Sequence, residues 1–598
     1  MFFECTTVKS FAVALSETYA SVFENIAVTQ KNSQVADFQA IDSEATDSQA
    51  IEPPAYNSVA MENVNQVQKS TLSISETEAL NTLASLRSGK QSRTSDNSIR
   101  KDKATTVNVI VDESKEELSK LPLHIQDAES ALPFSNLTNI PAGYEGELNC
   151  VFITGSTGFL GIHVLAELLT AQKSVQAYCL VRAANQELGL QRILKQAEKF
   201  ELTVDAARLT VICGDINKPQ LGLSEQDWML CCKDVQHIVH ASAHVNHIEG
   251  YATFRDATRG MKEILRLASS EKIKLIHFIS STAACARKSG GRISLYERED
   301  FIKDGGLVYG GYGQSKWVQE TLLERAHEHG IPYAIYRFGE LSGSSLTGLG
   351  QTDDMLHRLL QMKLAVGCKE KISNDVLDML PVDFAAKLVV NTGKTPEAWN
   401  KVVHATHPNP YPLPYVYKCA QEQGLEFEAV SKSEYLSECS HYIRYTSSLN
   451  PVDGFVLECV FRDLDKSSKN ISMVDGYFAV LFPFDQNKFK SSLKATGLII
   501  PEWKSLLDLY FKRWNQESSG YMAKIRDYQQ WRMLEKSLEN NHENDQERNQ
   551  ERNQEGNSVA VSIPAPASQR VKKQKLKADS QIVKDVDDKN LVGEFSEE

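Results

Sequence analysis

The sequence predicts an α/β protein with a doubly wound parallel sheet, a smaller, mostly helical carboxyl-terminal part and disordered flanks. Short apolar runs alternate with amphipathic stretches over about residues 145–535, a pattern typical of a parallel sheet covered by helices. The first apolar run leads into a glycine-rich turn that opens a helix. Polar segments, rich in Ser, Thr, Asn, Gln and acidic residues, flank this body and predict little packed structure.

The predicted strands are six apolar runs in the first half of this body. In chain order they read CVFITG, VQAYCLVR, LTVICGD, HIVHAS, LIHFISS and YAIYRFG. Between the first two runs, LGIHVLAELLTA spaces apolar residues at helical intervals, and GMKEILRLASS does so before the fifth. Strands alternating with helices over short connections predict the doubly wound arrangement.

Charge and composition exclude several classes of function. The 65 Lys and Arg against 78 Asp and Glu give a net charge of −13, which disfavours binding to nucleic acid or to an anionic bilayer. No apolar run approaches the roughly 18 residues that span a membrane, and Glu4 precedes any basic residue in a start that makes a poor signal peptide. The 11 cysteines are scattered without a CxxC pair, so we expect a soluble cytoplasmic protein without disulfides or a metal site.

The turn after the first strand predicts a dinucleotide-binding Rossmann fold. Its glycines permit a tight turn and close approach of the backbone to a pyrophosphate, and the helix that follows offers free N–H groups to the anion. The predicted binding residues of this turn are Thr154, Gly155, Ser156, Thr157, Gly158, Phe159, Leu160 and Gly161.

The second strand ends in Arg182, where an acidic residue would select the free ribose hydroxyl of NAD. Arg182 therefore indicates the 2′-phosphate of NADP, and Arg192 on the next helix is a second candidate for the same phosphate. For both residues, a solvated surface arginine is the alternative interpretation. NADPH is the expected cofactor.

Further cofactor contacts are predicted where the third and fourth strands end. Asp215 is placed either to accept a hydrogen bond from the adenine amine or simply to form a turn. Small residues after the fourth strand would let the cofactor lie against the backbone; they are Ala241, Ser242 and Ala243. His240, before them, is interpreted as structural.

The predicted catalytic group is a tyrosine and lysine pair. Tyr312 is the only tyrosine in the chain with a lysine four residues later, Lys316, and this spacing puts both on one helix face. We expect the ammonium to lower the phenol pKa from about 10, which makes Tyr312 a usable proton donor. The strand LIHFISS is followed by a further hydroxyl, and either Ser281 or Thr282 would orient the substrate oxygen.

Several motifs in one order resemble the thioester reductase family of extended short-chain dehydrogenase/reductases. They read VFITGSTGFLGIHVLAELL, CLVRAAN, GDINKPQLGLSEQDW, HIVHASAHVNHIEGYATFR, GMKEILRLAS, GGYGQSKWVQETLL and YRFGELSGSSLTG. The family includes the terminal reductase domains of nonribosomal peptide synthetases, carboxylic acid reductases and aminoadipate reductases. The resemblance covers residues 145–400 closely and continues weakly to about 530.

This resemblance implies NADPH-dependent reduction of an acyl thioester to an aldehyde, with a further reduction to an alcohol left open. The acyl group would be carried by the phosphopantetheine of an acyl or peptidyl carrier protein, or by CoA. Tyr312 would protonate the oxyanion, Ser281 or Thr282 would assist, and Lys316 would hold the nicotinamide ribose. Arg337 and Gly339 would lie near the nicotinamide, with a packing role as the alternative.

The resemblance also suggests an organisation of the chain. Residues 1–30 resemble the last helices of a carrier domain, although an ordinary amphipathic helix is the alternative, and residues 31–144 are a mostly disordered linker. The NADP-binding Rossmann domain would occupy 145–365. A substrate-binding domain would occupy 366–535, returning to the sheet near 380–410, and 536–598 would form a disordered charged tail.

Three alternatives to a thioester reductase stay open. A fatty acyl-CoA reductase is the near neighbour, and a nucleotide-sugar epimerase or dehydratase shares the fold and the tyrosine and lysine pair. The third alternative is not an enzyme: it is a non-catalytic scaffold protein that binds NADP. The carrier-like start and the missing membrane segment favour a carrier-bound thioester.

Overall fold

A parallel sheet of seven strands is the centre of the computed structural model. The structure describes Ser119 and residues 121–145, 148–246, 249–289, 292–295, 308, 310–371, 376–465, 487–516 and 520–555. In chain order the strands are β1 (Cys150–Thr154), β2 (Gln176–Val181), β3 (Leu209–Cys213), β4 (His237–His240), β5 (Leu275–Ser281), β6 (Ala286–Ser289), β7 (Arg292–Leu295), β8 (Tyr333–Phe338), β9 (Glu340–Ser342), β10 (Cys368–Glu370), β11 (Val376–Leu377), β12 (Met379–Pro381), β13 (Lys401–Ala405), β14 (Tyr411–Pro412) and β15 (Glu428–Val430).

The large sheet has the strand order β13, β8, β5, β4, β1, β2, β3, and all its pairings are parallel. The strand order reverses direction between β1 and β4, where Thr154 aligns with His240 at the carboxyl ends. In open α/β sheets, ligands bind at such a switch point. The six predicted strands are β1 to β5 and β8, and the predicted parallel sheet is confirmed. The edge strand β13 was not among the predicted strands, although it lies within the predicted return to the sheet near residues 380–410.

The described helices, in chain order, are α1 (Leu123–Ala128), α2 (Phe159–Ala171), α3 (Gln186–Lys199), α4 (Glu225–Asp234), α5 (Arg255–Ala268), α6 (Gly311–His327), α7 (Met355–Ala365), α8 (Val382–Gly393), α9 (Leu413–Glu422), α10 (Lys432–Leu449), α11 (Pro451–Asp465), α12 (Asn487–Thr496), α13 (Trp503–Gln516) and α14 (Tyr521–Glu555). Among the described residues, none of these helices is both long enough and apolar enough to cross a membrane.

Helices cover both faces of the sheet. On one face, α4, α5 and α6 bury apolar residues such as Trp228, Ile264 and Trp317 against the strands. On the other face, α2 and α8 pack together through residues that include Leu165 and Leu388. Because both faces are covered, β1 and β8 are buried along their whole length, as parallel strands require.

A third core lies in the helical carboxyl-terminal part. It joins α7, α9, α10, α13 and α14 through buried residues such as Leu360, Tyr442 and Tyr510. Helix α7 belongs to this core although it lies within the range 145–365 that the sequence reading gave to the Rossmann domain. Helix α8 and strand β13 return to the main sheet over 382–405.

The structure differs from the sequence reading in both flanks. Residues 121–144, expected to belong to a disordered linker, pack on the body, where Asp127 accepts hydrogen bonds from Arg255 Nη2 at 2.8 Å and from the Tyr251 hydroxyl at 2.8 Å. The expected tail from residue 536 begins as a continuation of α14, which runs to Glu555. The carrier-like segment 1–30 lies outside the described residues.

Candidate active site

The glycine-rich turn lies in contact with the residues that follow β4. Gly155 has φ +77°, and a Cβ atom there would lie 2.8 Å from the backbone of Ala241 and of Ser242. A Cβ on Gly161 would lie 2.0 Å from the carbonyl oxygen of Gly155. Only glycine, which has no Cβ, can occupy these two positions without a clash. The turn and the start of α2 therefore lie directly against the switch point of the sheet.

Thr154 links the ends of the two strands at the switch point. Its hydroxyl is 2.8 Å from Nδ1 of His240 and accepts the N–H of Ser242 at 3.1 Å. The His240 ring stacks on Phe278 of β5 with centroids 5.5 Å apart. Thr154 therefore acts here as a link within the sheet, and His240 has the structural environment expected for it.

The start of α2 has the chemistry that a pyrophosphate needs. Gly158 caps the helix without a side-chain hydrogen bond, so no capping side chain competes for the first N–H groups, which belong to Phe159, Leu160 and Gly161. Ser156 is buried beside them, Thr157 is half-buried, and Ala243 is exposed on the loop opposite. The turn fits the diphosphate of a dinucleotide.

Arg182 and Arg192 come together beyond the carboxyl end of β2. Both side chains are exposed, and the Arg192 guanidinium donates a hydrogen bond to the carbonyl oxygen of Arg182. Asp215, after β3, uses Oδ1 to accept the N–H of Asn217 at 3.0 Å. The contact of Asp215 is that of a turn residue, which is one of the two interpretations left open by the sequence.

Ser281 and Tyr312 meet where β5 ends and α6 begins. The Ser281 side chain is hydrogen-bonded with Tyr312, and its Oγ also accepts the N–H of Ala283 at 3.1 Å. Thr282 is the first residue of the short 3₁₀ turn that follows β5. Of the two candidate hydroxyls, the structure brings that of Ser281 to the phenol.

Lys316 lies one turn along α6 from Tyr312 and is buried. Its Nζ donates a hydrogen bond to the carbonyl oxygen of Ile279 at 2.7 Å and lies 5.9 Å from the centroid of the Tyr312 ring. Burial lowers the pKa of Lys316 to about 8, and the negative charge of Glu320 opposes that decrease.

The expectation that Lys316 lowers the pKa of Tyr312 is wrong. Burial raises the pKa of the Tyr312 phenol above its ordinary value, the hydrogen bond with Ser281 opposes the increase, and the negative charge of Glu340 adds to it. The physical reason is desolvation: the phenolate would lose hydration in this half-buried position, while the Lys316 ammonium donates to the Ile279 carbonyl.

The two residues expected near the nicotinamide have packing contacts. The Arg337 guanidinium is buried and paired with Glu320, with Nη2 2.6 Å from Oε2. At Gly339, an added Cβ would lie 3.1 Å from Oδ2 of Asp378. For Arg337 these contacts correspond to the packing role that the sequence reading kept as the alternative.

Two acidic residues of the site were missed by the sequence reading. Glu320 follows Lys316 by four residues and could have been found by extending the helical spacing of Tyr312 and Lys316. Glu340 comes close to Tyr312 through the fold and has no sequence pattern of its own. Burial beside the Asp354 and Asp378 carboxylates raises the pKa of Glu340 to about 8.

A family model described as Male sterility protein, an NAD-binding domain, matches residues 153–389. A linear gramicidin synthase chain of Brevibacillus parabrevis is 36% identical over 299 residues, 49% of this chain and 6% of that protein. The L-2-aminoadipate reductase large subunit of Penicillium chrysogenum is 37% identical over 274 residues, 43% of this chain and 19% of that protein. The match therefore spans under a fifth of the length of these two relatives.

A solved structure has the same fold. The terminal R domain of the myxalamid PKS-NRPS biosynthetic pathway superimposes with a TM-score of 0.56 at 28% identity, over 65% of this chain and 96% of that domain. The resemblance predicted from the motifs is confirmed. Residues 153–389 thus match the male sterility protein model of an NAD-binding domain, and the chain is similar to the terminal reductase domain of a nonribosomal peptide synthetase pathway and to aminoadipate reductases.

Proposed function

We propose that this protein is an NADPH-dependent reductase that releases an acyl group from a thioester as an aldehyde. The observation that carries the proposal is the convergence of three groups at the carboxyl end of β5. Tyr312 is hydrogen-bonded with Ser281, and Lys316 donates to the carbonyl oxygen of Ile279 on the same strand. The similarity to synthetase reductase domains and to aminoadipate reductases supports the same reaction class.

The residues that would hold the cofactor line the carboxyl edge of the sheet. The N–H groups at the start of α2 would bind the pyrophosphate, Arg182 with Arg192 would bind the 2′-phosphate, and Lys316 would bind the nicotinamide ribose. When bound, NADPH supplies the hydride that reduces the carbonyl carbon. The preference for NADPH over NADH rests on the two exposed arginines and on the presence of arginine, instead of an acidic residue, at position 182.

The protein groups act on the carbonyl oxygen of the thioester. The hydroxyls of Ser281 and Tyr312 would donate hydrogen bonds to this oxygen, so that negative charge developing there is stabilised. Tyr312 then transfers its proton to this oxygen as the general acid. When the carbon–sulfur bond of the resulting thiohemiacetal breaks, the hydroxyl proton passes to the sulfur, so that the thiol leaves and the aldehyde is formed.

The proposed substrate is an acyl group on the phosphopantetheine arm of a carrier protein, or on CoA. Two of the similar proteins are parts of synthetases by their names, the linear gramicidin synthase chain and the myxalamid terminal R domain. Both carriers present the same thioester chemistry. A thioester substrate also gives Tyr312 and Ser281 an oxyanion to stabilise.

The test uses the full chain with NADPH, or separately NADH, and a panel of acyl-CoA, acyl-pantetheine and carrier-loaded thioesters. Oxidation of the nicotinamide is followed by absorbance, and the products are identified by mass spectrometry. We expect aldehyde or alcohol with NADPH, a loss of at least about 100-fold in kcat for Tyr312→Phe, and little change for Tyr415→Phe in the distant helical core. Binding of NADPH without turnover of any thioester would contradict the proposal and favour a scaffold.

A further inference from the structure

Three consecutive residues at the end of β5 contact three residues spaced by four along α6. The pairs are Ile279 with Lys316, Ser280 with Glu320, and Ser281 with Tyr312. The first contact runs from Nζ to the backbone carbonyl at 2.7 Å, and the second from the Ser280 hydroxyl to Oε1 of Glu320. Each of the last three residues of β5 therefore contacts one residue on the same face of α6. Glu320 is the last of these three helix residues along the chain.

Glu320 is the most constrained of these three helix residues. Arg337 donates from Nε at 3.1 Å and from Nη2 at 2.6 Å to its carboxylate. Ser280 and Arg337 are aligned on the neighbouring strands β5 and β8, so both side chains reach Glu320 from one face of the sheet. Glu320 is 2% exposed and Arg337 is 3% exposed.

Stability alone is a poor explanation for this buried pair. Removing a carboxylate and a guanidinium from water costs about as much as their attraction returns, and apolar residues of similar volume would serve a core equally well. Glu320 lies one turn after Lys316 on α6, and its charge acts on the buried Lys316 ammonium, which donates to the carbonyl oxygen of Ile279. The fixed negative charge of Glu320 orients the Lys316 ammonium and favours its protonated form.

We propose that Glu320 is a positioning residue of the reductase site, fixed by Arg337 and Ser280 so that Lys316 stays charged and aligned beside Tyr312. The inference rests on the proposed function for its catalytic consequence. In this proposal the role of Arg337 is to hold Glu320, instead of lying near the nicotinamide as the family resemblance implied.

The charged and titratable groups around Lys316 define the expected pH dependence. On α6 they are Tyr312 and Glu320, and on β4 His240, whose pKa burial lowers to about 3, so this histidine is neutral near pH 7. Arg337 on β8 faces Glu320. The Glu320 charge raises the pKa of Lys316, and without that charge Lys316 loses its proton at lower pH.

Cys285 and Glu324 lie close enough to Arg337 to act on its charge. Neither is among the groups that shift the pKa of Lys316. The pH dependence of Lys316 is therefore expected to follow Glu320.

The experiment compares wild type with Glu320→Gln and with Glu320→Gln combined with Arg337→Gln. The double variant removes both buried charges and so avoids an unpaired guanidinium, in case the single variant fails to fold. The control is Glu438→Gln combined with Arg532→Gln, which removes a similar two-bond pair between α10 and α14. Each protein is measured for kcat and KM against pH, for the Kd of NADPH against pH, and for Tm.

We expect both Glu320 variants to lose about 10-fold to 100-fold in kcat, since a misplacement of about 1 Å has this effect, with KM for the thioester little changed. The alkaline decline of kcat, and the weakening of NADPH binding at alkaline pH, should both begin at lower pH than in wild type. The control should change Tm alone.

Unchanged kcat and pH profiles in a folded Glu320 variant would overturn the inference. If wild type binds NADPH but turns over no thioester, the proposed function fails instead. The pH dependence of NADPH binding then decides the role of Glu320 by itself.

Discussion

Ser281, the last residue of β5, is hydrogen-bonded with Tyr312 in the first turn of α6. The Ser281 Oγ also accepts a hydrogen bond from the N–H of Ala283. We expect Ser281→Ala to lower kcat for thioester reduction by about 100-fold, the effect of removing one oxyanion donor, with little change in Tm. Thr282→Ala is the neighbouring control and should lower kcat less than about threefold. A larger loss for Thr282→Ala would assign the catalytic hydroxyl to Thr282.

Gly155→Ala is expected to abolish cofactor binding. The new methyl group would lie 2.8 Å from backbone atoms of Ala241 and Ser242, and the residue has φ +77°. Gly330→Ala is the matched control, because Gly330 also has positive φ, +102°, but a Cβ there meets nothing within 4 Å. Titration of intrinsic fluorescence with NADPH should show binding to the control alone. Equal losses would mean that strain, and not close approach, explains the effect.

Arg182→Ala is expected to weaken NADPH binding by about 10-fold to 100-fold, the contribution of a charged hydrogen bond to a phosphate oxygen. Binding of NADH, which lacks the 2′-phosphate, should change less than about twofold. Lys195→Ala, an exposed residue of the same surface helix α3, provides the control for loss of a positive charge. A parallel loss of NADH affinity in Arg182→Ala would argue against recognition of the 2′-phosphate.

Two buried histidines connect β4, β5 and β8. His237 donates from Nε2 to the carbonyl of Tyr144, so its Nδ1 accepts from Nε2 of His277, and the Nδ1 of His277 accepts from the Tyr336 hydroxyl. Both rings are neutral in this arrangement, and a proton added to Nδ1 of His237 would remove the acceptor that His277 uses. Burial lowers the pKa of His237 to about 4 and that of His277 well below its ordinary value.

The free energy of unfolding should therefore decrease as pH falls from about 6.5 towards 4. Above about pH 6.5, the ordinary pKa of histidine in the unfolded chain, the two histidines are neutral in both the folded and the unfolded state. Below that pH they bind protons in the unfolded chain first, which favours unfolding. Urea unfolding at pH 7 and pH 5 measures the loss. His237→Gln, which does not titrate, should reduce the pH dependence, and an unchanged dependence would exclude His237 as its source.

Asp127 attaches the segment before the sheet to α5. Its carboxylate accepts hydrogen bonds from Arg255 at 2.8 and 2.9 Å and from Tyr251 at 2.8 Å. Asp127→Ala should lower the free energy of unfolding by about 2–3 kcal/mol, since hydrogen bonds to charged groups are lost. Asp256→Ala removes an exposed pair with Arg259 and should cost less than about 1 kcal/mol. Equal costs would mean that the contacts of Asp127 contribute no more to stability than an exposed ion pair.

The sequence by itself determined the sheet, the glycine-rich turn after β1 and the placement of Tyr312 and Lys316 on one helix face. Each of these depends on local patterns: short apolar runs, glycines at fixed offsets, and the four-residue spacing of Tyr312 and Lys316 on one helix face. The order of the motifs along the chain added the family resemblance. The same four-residue spacing places Glu320 on the helix face of Tyr312 and Lys316, but Glu320 was not among the predicted site residues.

Only the tertiary structure decided which groups meet. The choice of Ser281 over Thr282 as the partner of Tyr312, the pairing of Arg337 with Glu320, and the approach of Glu340 to Tyr312 join residues from different elements. The raised pKa of Tyr312 has the same origin, because desolvation depends on everything packed around the phenol and not on its neighbour four residues away. Spacing along a chain defines faces of helices and strands, whereas contacts between those faces arise only when the elements pack.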